Sequence, residues 1–502
     1  MVATRGDALR ACPWLLYPAP LALIIFFHAH QQGGNLSTVT IRFLFVLLLA
    51  LLVSACKHRS TAEFIVIKDP VIALEHVRVI DGTGSPARED QTIIIDSGRI
   101  TAIGPAKEIS VPATAKSLDL SGHTAMPGLV GMHDHLFYAT DQGDRYVEAG
   151  ESFAPLYLAA GVTTIRTAGA MELSHDREIK REVDKGELPG PKIHLSSPYI
   201  NKPAGETVNS QKVTDLINDW ADQGVTSLKI YENINRAEIT AIVDAAHKRG
   251  LKVTGHLCAA GFVEAAQAGI DNLEHGMAVD TEFFSRKKAD ECPERRVWLP
   301  ELSRIDVKSE PVQGMIRELV NRRVAITSTL AIFEAFVDEK FQLDPRVQNV
   351  LNEDSFNDCQ TRLAKGKADT RWSKVWDPVL KKEMQFEREF VQAGGLLMTG
   401  VDPTGWGGVV GGFGDQRGVE LLVAAGFTPE EAIRIATLNG ATFLGEDSRI
   451  GTLATSKQAD IVIVRGNPAT NISDIRNVQL VFKDGVGYDP AKLIESVRGS
   501  VG

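Results

Sequence analysis

The sequence predicts an α/β fold: a (β/α)8 TIM barrel with a small β-sandwich domain built from both ends of the chain. Two observations carry this expectation. Between residues 128 and 445, eight short β-rich runs alternate with helix-like stretches, the order of parallel strands and their crossover helices. At both ends, short alternating apolar runs are separated by Gly, Asp and Asn-Pro turns, the texture of antiparallel hairpins. Composition agrees. The 502 residues are 44% hydrophobic and 24% charged, which excludes a disordered chain or a small disulfide scaffold. With 54 Lys and Arg against 64 Asp and Glu, the net charge of -10 argues against general nucleic-acid binding.

In chain order, residues 1–55 read as a leader and signal peptide. Residues 43–53 (FLFVLLLALLV) form an apolar run, too short for the roughly 20 residues of a membrane-spanning helix but suited to a signal core. Val53-Ser54-Ala55-Cys56 follows and resembles a bacterial lipoprotein signal, with Cys56 lipidated. Lys57 after it then favours the outer membrane of a Gram-negative bacterium, facing the periplasm, with the lipid on Cys56 as membrane anchor. A second apolar stretch at 21–27 fits a signal peptide poorly, so residues 1–38 read either as a start-site artefact, with translation beginning near Val39, or as an upstream membrane segment. Residues 56–69 form a tether.

The N-terminal part of the sandwich is expected over 70–127, with strands at 73–79, 91–96 and 99–103. Its C-terminal part, 446–490, holds strands at 459–464 and 478–483. The barrel occupies 128–445. Its strands are expected at 128–133, 163–167, 192–196, 227–231, 252–256, 272–275, 324–327 and 396–401. Helices are expected between them, including 236–249 and 262–268. Two charged insertions, 278–320 and 334–382, are placed over the face where active sites of such barrels lie. Thr428-Pro429-Glu430-Glu431 is a helix start, with a Thr cap, Pro in the first position and Glu in the first turn.

The residues with chemistry sit at strand ends. His133 and His135 are two apart on a strand and so point to one side, where both can reach one metal ion. His256, His275 and Asp402 each close or follow a later strand. Lys229 lies inside an apolar strand, where a lysine is costly unless neutralised or paired; reaction with CO₂ would make it a carboxylate able to bridge two cations.

This order of ligands resembles the amidohydrolase superfamily in its binuclear form. The segments GVTTIRTAG (161–169), IDNLEHG (270–276), GVDPTG (400–405), FTPEEAIRIATLNGA (427–441) and KQADIVIV (457–464) resemble its imidazolonepropionase-like and Xaa-Pro dipeptidase-like branch. The resemblance implies two divalent ions, Zn2+ being the expected metal. His133, His135 and Asp402 would hold the more buried one, His256 and His275 the other, and carboxylated Lys229 would bridge them. It further implies cleavage of a C–N bond in a dipeptide or N-acyl amino acid by a metal-bridged hydroxide. Asp402 would act as proton shuttle, and Tyr231, two residues after Lys229, as a hydrogen-bond donor to the developing oxyanion. The sequence departs from the commonest members at Thr167, where many carry Asp, and at 196–202 (SSPYINK), where many have a His-Gly-rich segment. Substrate assignment by name is therefore unsafe.

Weaker candidates remain. His175 is placed to line the pocket, and Arg417 or Lys202 to hold a substrate carboxylate, although a surface ion pair explains either cation. Cys258 reads as a packing residue; Cys292 and Cys359, one in each insertion, either pair in an oxidising compartment or stay free, which a thiol count under denaturation would tell apart. Two other functions fit the same barrel: cyclic-amide hydrolysis or deamination, and a non-catalytic surface-binding lipoprotein.

Overall fold

Two stretches of parallel sheet run through the middle of the chain. The computed structural model describes residues 61–140, 145–203, 206–337, 341–368, 370–404 and 408–502. The leader and Cys56 lie outside the described residues. In the first sheet Val162–Thr167 pairs with Leu129–Asp134 on one side and Lys192–His194 on the other, all parallel. In the second, Ser196–Ile200, Ser227–Ile230, Lys252–Gly255, Asn272–Glu274, Ala325–Ser328 and Leu397–Thr399 follow one another in order, again all parallel. These strands are buried almost throughout, as parallel strands covered on both faces must be.

The strand expected over 192–196 is interrupted at Leu195. The piece before it pairs with the second strand and the piece after it with the fourth, so one run serves both sheets. Ser196 N–H ties the junction to Thr167 Oγ1 at 2.8 Å. At the other edges, the Val401 and Asp402 N–H groups both donate to His133 O, at 3.2 and 2.8 Å. The exit of the last strand is thereby fixed to the end of the first.

The helices between strands follow their local signals. Arg236–Lys248 opens on a reciprocal cap: Asn235 accepts from Glu238 N–H, and Glu238 accepts from Asn235 N–H, both at 3.0 Å. Its Ile239, Ile242, Val243 and Ala246 form the buried stripe. Thr428 and Glu431 make the expected cap of Pro429–Arg434.

Both chain ends share one nine-stranded sheet. Ile461–Arg465 pairs antiparallel with His123–Pro127, which brings the C-terminal hairpins beside Val71–Val79, Arg88–Asp96 and Arg99–Pro105. Among the described residues, no helix is long and apolar enough to cross a membrane.

The insertions fold as helices: Arg295–Leu302 and Glu310–Asn321 in the first, Pro345–Val350, Glu353–Ala368 and Thr370–Gln392 from the second. Here Cys258 proves not to be the packing residue expected, and the open question of Cys292 and Cys359 is answered. Cys258 pairs with Cys292, whereas Cys359 is a free, buried thiol. The cause is local. The start of the first insertion folds back over the strand-end segment 256–260, where Thr281 Oγ1 donates to Cys258 O at 2.7 Å and Lys287 Nζ donates to Thr281 Oγ1 at 2.7 Å. Cys292 is thereby delivered to Cys258, and Cys359 is enclosed in the apolar core. The bridge closes a sequence separation of 34 residues. Removing it in a Cys258→Ser, Cys292→Ser double variant is expected to cost about 3–4 kcal/mol in denaturant unfolding. Thiol titration of the denatured, unreduced protein should find Cys359 as the one reactive thiol among the described residues.

Candidate metal centre

Each strand-end residue lies at the C-terminal end of its parallel strand. His133 is next to last in Leu129–Asp134, and His256 and His275 directly follow Lys252–Gly255 and Asn272–Glu274. Strand alternation sends His133 and His135 to one side and Asp134 to the other. The Asp134 carboxylate lies so close to Gly131 that a Cβ there would collide with it, and its Oδ1 accepts from Val401 N–H at 3.3 Å.

The structure gathers three of the expected ligands tightly. Donor atoms of His133, His275 and Asp402 all lie within 4.8 Å of one another. His135 Nε2 is 3.3 Å from Asp402 Oδ1, and His133 Nε2 is 3.7 Å from the same oxygen. His256 stands one ring further out, its centroid 4.5 Å from that of His275 and its Nε2 3.7 Å from Glu232 Oε1. The Asp402 side chain is 26% exposed while the histidines beside it are buried, so the carboxylate is the open edge of the cluster.

Two of these residues sit in left-handed backbone. His275 has φ 69° and is followed by Gly276 at φ 62°; Asp402 has φ 52°. Such a conformation costs a non-glycine residue on the order of 1–3 kcal/mol and persists only where surrounding structure holds it. His275 N–H is held by Thr327 O at 2.9 Å and Asp402 N–H by His133 O at 2.8 Å. Gly400 can carry no Cβ, because the His133 backbone fills that space.

One ring nitrogen of each of His133, His135 and His275 is also engaged. His133 Nδ1 is 2.8 Å from Glu274 Oε2, His135 Nδ1 is 3.3 Å from Gly169 O, and His275 Nδ1 is 2.9 Å from Thr329 Oγ1. Such partners fix ring orientation and tautomer. Burial, with Lys229 nearby, pulls His133 down to about 4, and burial holds His256 and His275 well below the ordinary imidazole range. These rings are neutral, with lone pairs available. Burial opposes ionisation of Asp402, but His133, His135 and His275 outweigh it and hold the carboxyl well below its usual range.

Lys229 is 1% exposed and points to Glu274, Nζ to Oε1 3.9 Å. Burial lowers it to about 8. Glu274 and Arg166 were not singled out from the sequence. Arg166 Nη2 donates to Glu274 Oε1 at 2.8 Å, and both side chains are fully buried. Burial opposes the Glu274 charge, but Arg166, Lys229 and His133 hold it ionised. The reasoning that picked out Lys229, a charge inside an apolar strand, applies equally to Arg166 in Val162–Thr167 and to Glu274 in Asn272–Glu274.

Tyr231 stacks at a tilt on His256, ring centroids 4.8 Å apart, and burial raises its phenol, so the hydroxyl remains a donor. Tyr199, also missed, meets Tyr231 edge-on at 5.3 Å and stands opposite Lys229 in register. The weaker candidates are engaged elsewhere. Arg417 makes a bidentate pair with Glu334 at 2.8 and 2.6 Å, and Lys202 Nζ holds Glu238 at 2.7 Å. His175 neighbours Glu148 and Glu151 at 3.6 and 3.9 Å.

Behind the cluster, Glu383 and Glu387 of Thr370–Gln392 are both fully buried. Burial pushes Glu387 from 4.5 up to about 8. A carboxyl that stays protonated in the fold but ionises in the unfolded chain loses stability as pH rises between those two values. Glu387→Gln is therefore expected to leave stability unchanged below pH 4. Between pH 4.5 and 8 it should gain progressively, reaching on the order of a few kcal/mol in denaturant unfolding.

A family model described as "Amidohydrolase family" matches residues 124–486. An adenine deaminase of Chelativorans sp. (strain BNC1) is 25% identical over 46% of this chain and 38% of its own. An imidazolonepropionase of Herpetosiphon aurantiacus is 21% identical over 83% of this chain and 93% of its own. The chain spans less than half the length of the first curated relatives it matches. Among solved structures, a Xaa-Pro dipeptidase with bound methionine in the active site superposes with TM-score 0.63 at 21% identity, covering 84% of this chain and 100% of that one. That likeness shows the fold alone.

Proposed function

The chain belongs to the amidohydrolase family, and from that premise we propose that it is a metal-dependent hydrolase. Its substrate would be the C–N bond of a small amide, a dipeptide or an N-acyl amino acid. The observation that carries this reading is the convergence of His133, His135, His275 and Asp402 at the C-terminal ends of parallel strands. The donor set fits divalent metal: the imidazoles of His133, His135 and His275, each with one nitrogen engaged, around one ionised carboxylate.

On this reading His133, His135 and Asp402 would hold one ion and His256 and His275 a second, with carboxylated Lys229 as a shared ligand and Zn2+ as the expected metal. When bound, the ions supply Lewis acidity toward the scissile carbonyl and make water a better nucleophile. Asp402, at the open edge of the cluster, takes the proton from the attacking water and passes it to the departing amine nitrogen. Tyr231 and Tyr199 stand beside His256 and Lys229, and the Tyr231 hydroxyl donates to the oxygen that gains charge. We read the parallel strands as one closed eight-stranded barrel over 128–445, with the hydrogen bonds to His133 O as the seam. The nine-stranded sheet then folds as a β-sandwich around Ile72, Leu74, Ile93, Ile461 and Phe482. Export as a lipoprotein anchored at Cys56 completes the proposal.

The test is metal analysis with a substrate screen. About two divalent ions per chain, with turnover of members of a dipeptide and N-acyl amino acid library by the Zn2+-loaded protein, is the expected result. A chain that takes up no metal when metal is supplied overturns the proposal.

A further inference from the structure

Glu383 belongs to no part of the chemistry above, yet it reaches the backbone that presents His275. It sits on Thr370–Gln392, the helix that returns from the second insertion to the last parallel strand. Its carboxyl accepts from Ala278 N–H at 2.6 Å and also meets the Met277 N–H. Those donors open the 3-10 turn Gly276–Val279, immediately after His275. The other carboxyl oxygen lies where a Gly276 Cβ would stand, and it has no hydrogen-bond partner in the described residues. Four residues on, Glu387 touches Ser328, whose neighbour Thr329 holds His275 Nδ1 at 2.9 Å. The same helix face therefore lies against both segments that aim the His275 ring, and Glu383 is the residue that hydrogen-bonds one of them.

This contact has a physical task. Two consecutive residues in left-handed backbone do not stay there unaided, and the one without a glycine's freedom is the ligand. The Glu383 carboxyl ties down the two N–H groups that follow, so the turn cannot relax and carry His275 away from Asp402. A buried carboxyl with one unpartnered oxygen is costly as a packing element alone.

We propose that Glu383 is a positioning residue for the metal centre, setting the affinity of the His275 site through the backbone turn Gly276–Val279. This rests on the metal-hydrolase reading above. Zn2+ and Co2+ titrations of the full chain, followed by competition with a chromophoric chelator and by the Co2+ absorption bands, test it. Glu383→Met is expected to weaken one of the two sites by about 10- to 100-fold, the span typical for partners that orient a ligand. Its Co2+ bands should change while the other site keeps its affinity. Glu383→Gln, which retains an acceptor for the same N–H groups, should restore wild-type affinity and bands. Should Glu383→Met fail to fold, Glu383→Asp decides, since it keeps a buried carboxyl but withdraws it by one methylene. A weakened site upholds the proposal, and wild-type affinity at both sites in folded Glu383→Met or Glu383→Asp overturns it. A wild-type chain that binds no metal instead overturns the functional reading itself.

Discussion

Asp402→Asn is expected to lower kcat by about 10²- to 10⁴-fold, the range for losing a positioned proton-transfer group, with KM little changed. Asn has nearly the volume of Asp and keeps a carbonyl oxygen toward His135 and His133, which Asp402 Oδ1 approaches at 3.3 and 3.7 Å. The backbone turn survives as well, because φ 52° is tolerated by Asn and the N–H still donates to His133 O. What disappears is the anion that can accept a proton at the open edge of the cluster. Metal content should fall by less than the rate, since three or four imidazoles remain. Steady-state kinetics with metal analysis on the same preparation separates the two effects. A variant that turns over near the wild-type rate would show that the proton moves by another path.

The sequence displays the ligands because each stands at a strand end beside a turn, where a lone His or Asp interrupts an apolar run. Glu274 and Arg166 carry the same signal as Lys229, a charge in an apolar strand, but the sequence does not show which charges meet across neighbouring strands. Their meaning appears only when Val162–Thr167, Ser227–Ile230 and Asn272–Glu274 bring Arg166, Lys229 and Glu274 to one point. Tyr199 was hidden by the break at Leu195, which shifts the expected strand 192–196 forward and places 196–200 in register with Ser227–Ile230. The Cys258–Cys292 bridge could not be read from spacing, since it depends on how the first insertion folds back. Arg417 and Lys202 illustrate the opposite limit: a cation read from sequence has no partner in one dimension, and the structure supplies Glu334 and Glu238.

Lys229→Ala is the second large effect, and its rescue discriminates between two roles. As a bridging carboxylate, Lys229 is a ligand, and its loss should cost activity at least about 100-fold, since even partners that only orient ligands cost 10- to 100-fold. Burial favours that role: a lysine lowered to about 8 exposes a neutral amine to CO₂ far more often than one at 10.5. As an ammonium, Lys229 would instead serve the charge of Glu274, 3.9 Å away. Truncation leaves a space where the side chain was. Acetate or propionate entering it supplies a carboxylate, whereas ethylamine or propylamine supplies a cation. Partial recovery with the acids and none with the amines, measured as kcat against added ligand at fixed ionic strength, is the expected outcome. Recovery with amines alone would assign Lys229 to Glu274 and remove the carboxylated bridge. Glu274 itself argues for the first result: Arg166 already holds it at 2.8 Å, so its charge is met without Lys229. The lysine is then free to carry a carboxylate toward the histidines.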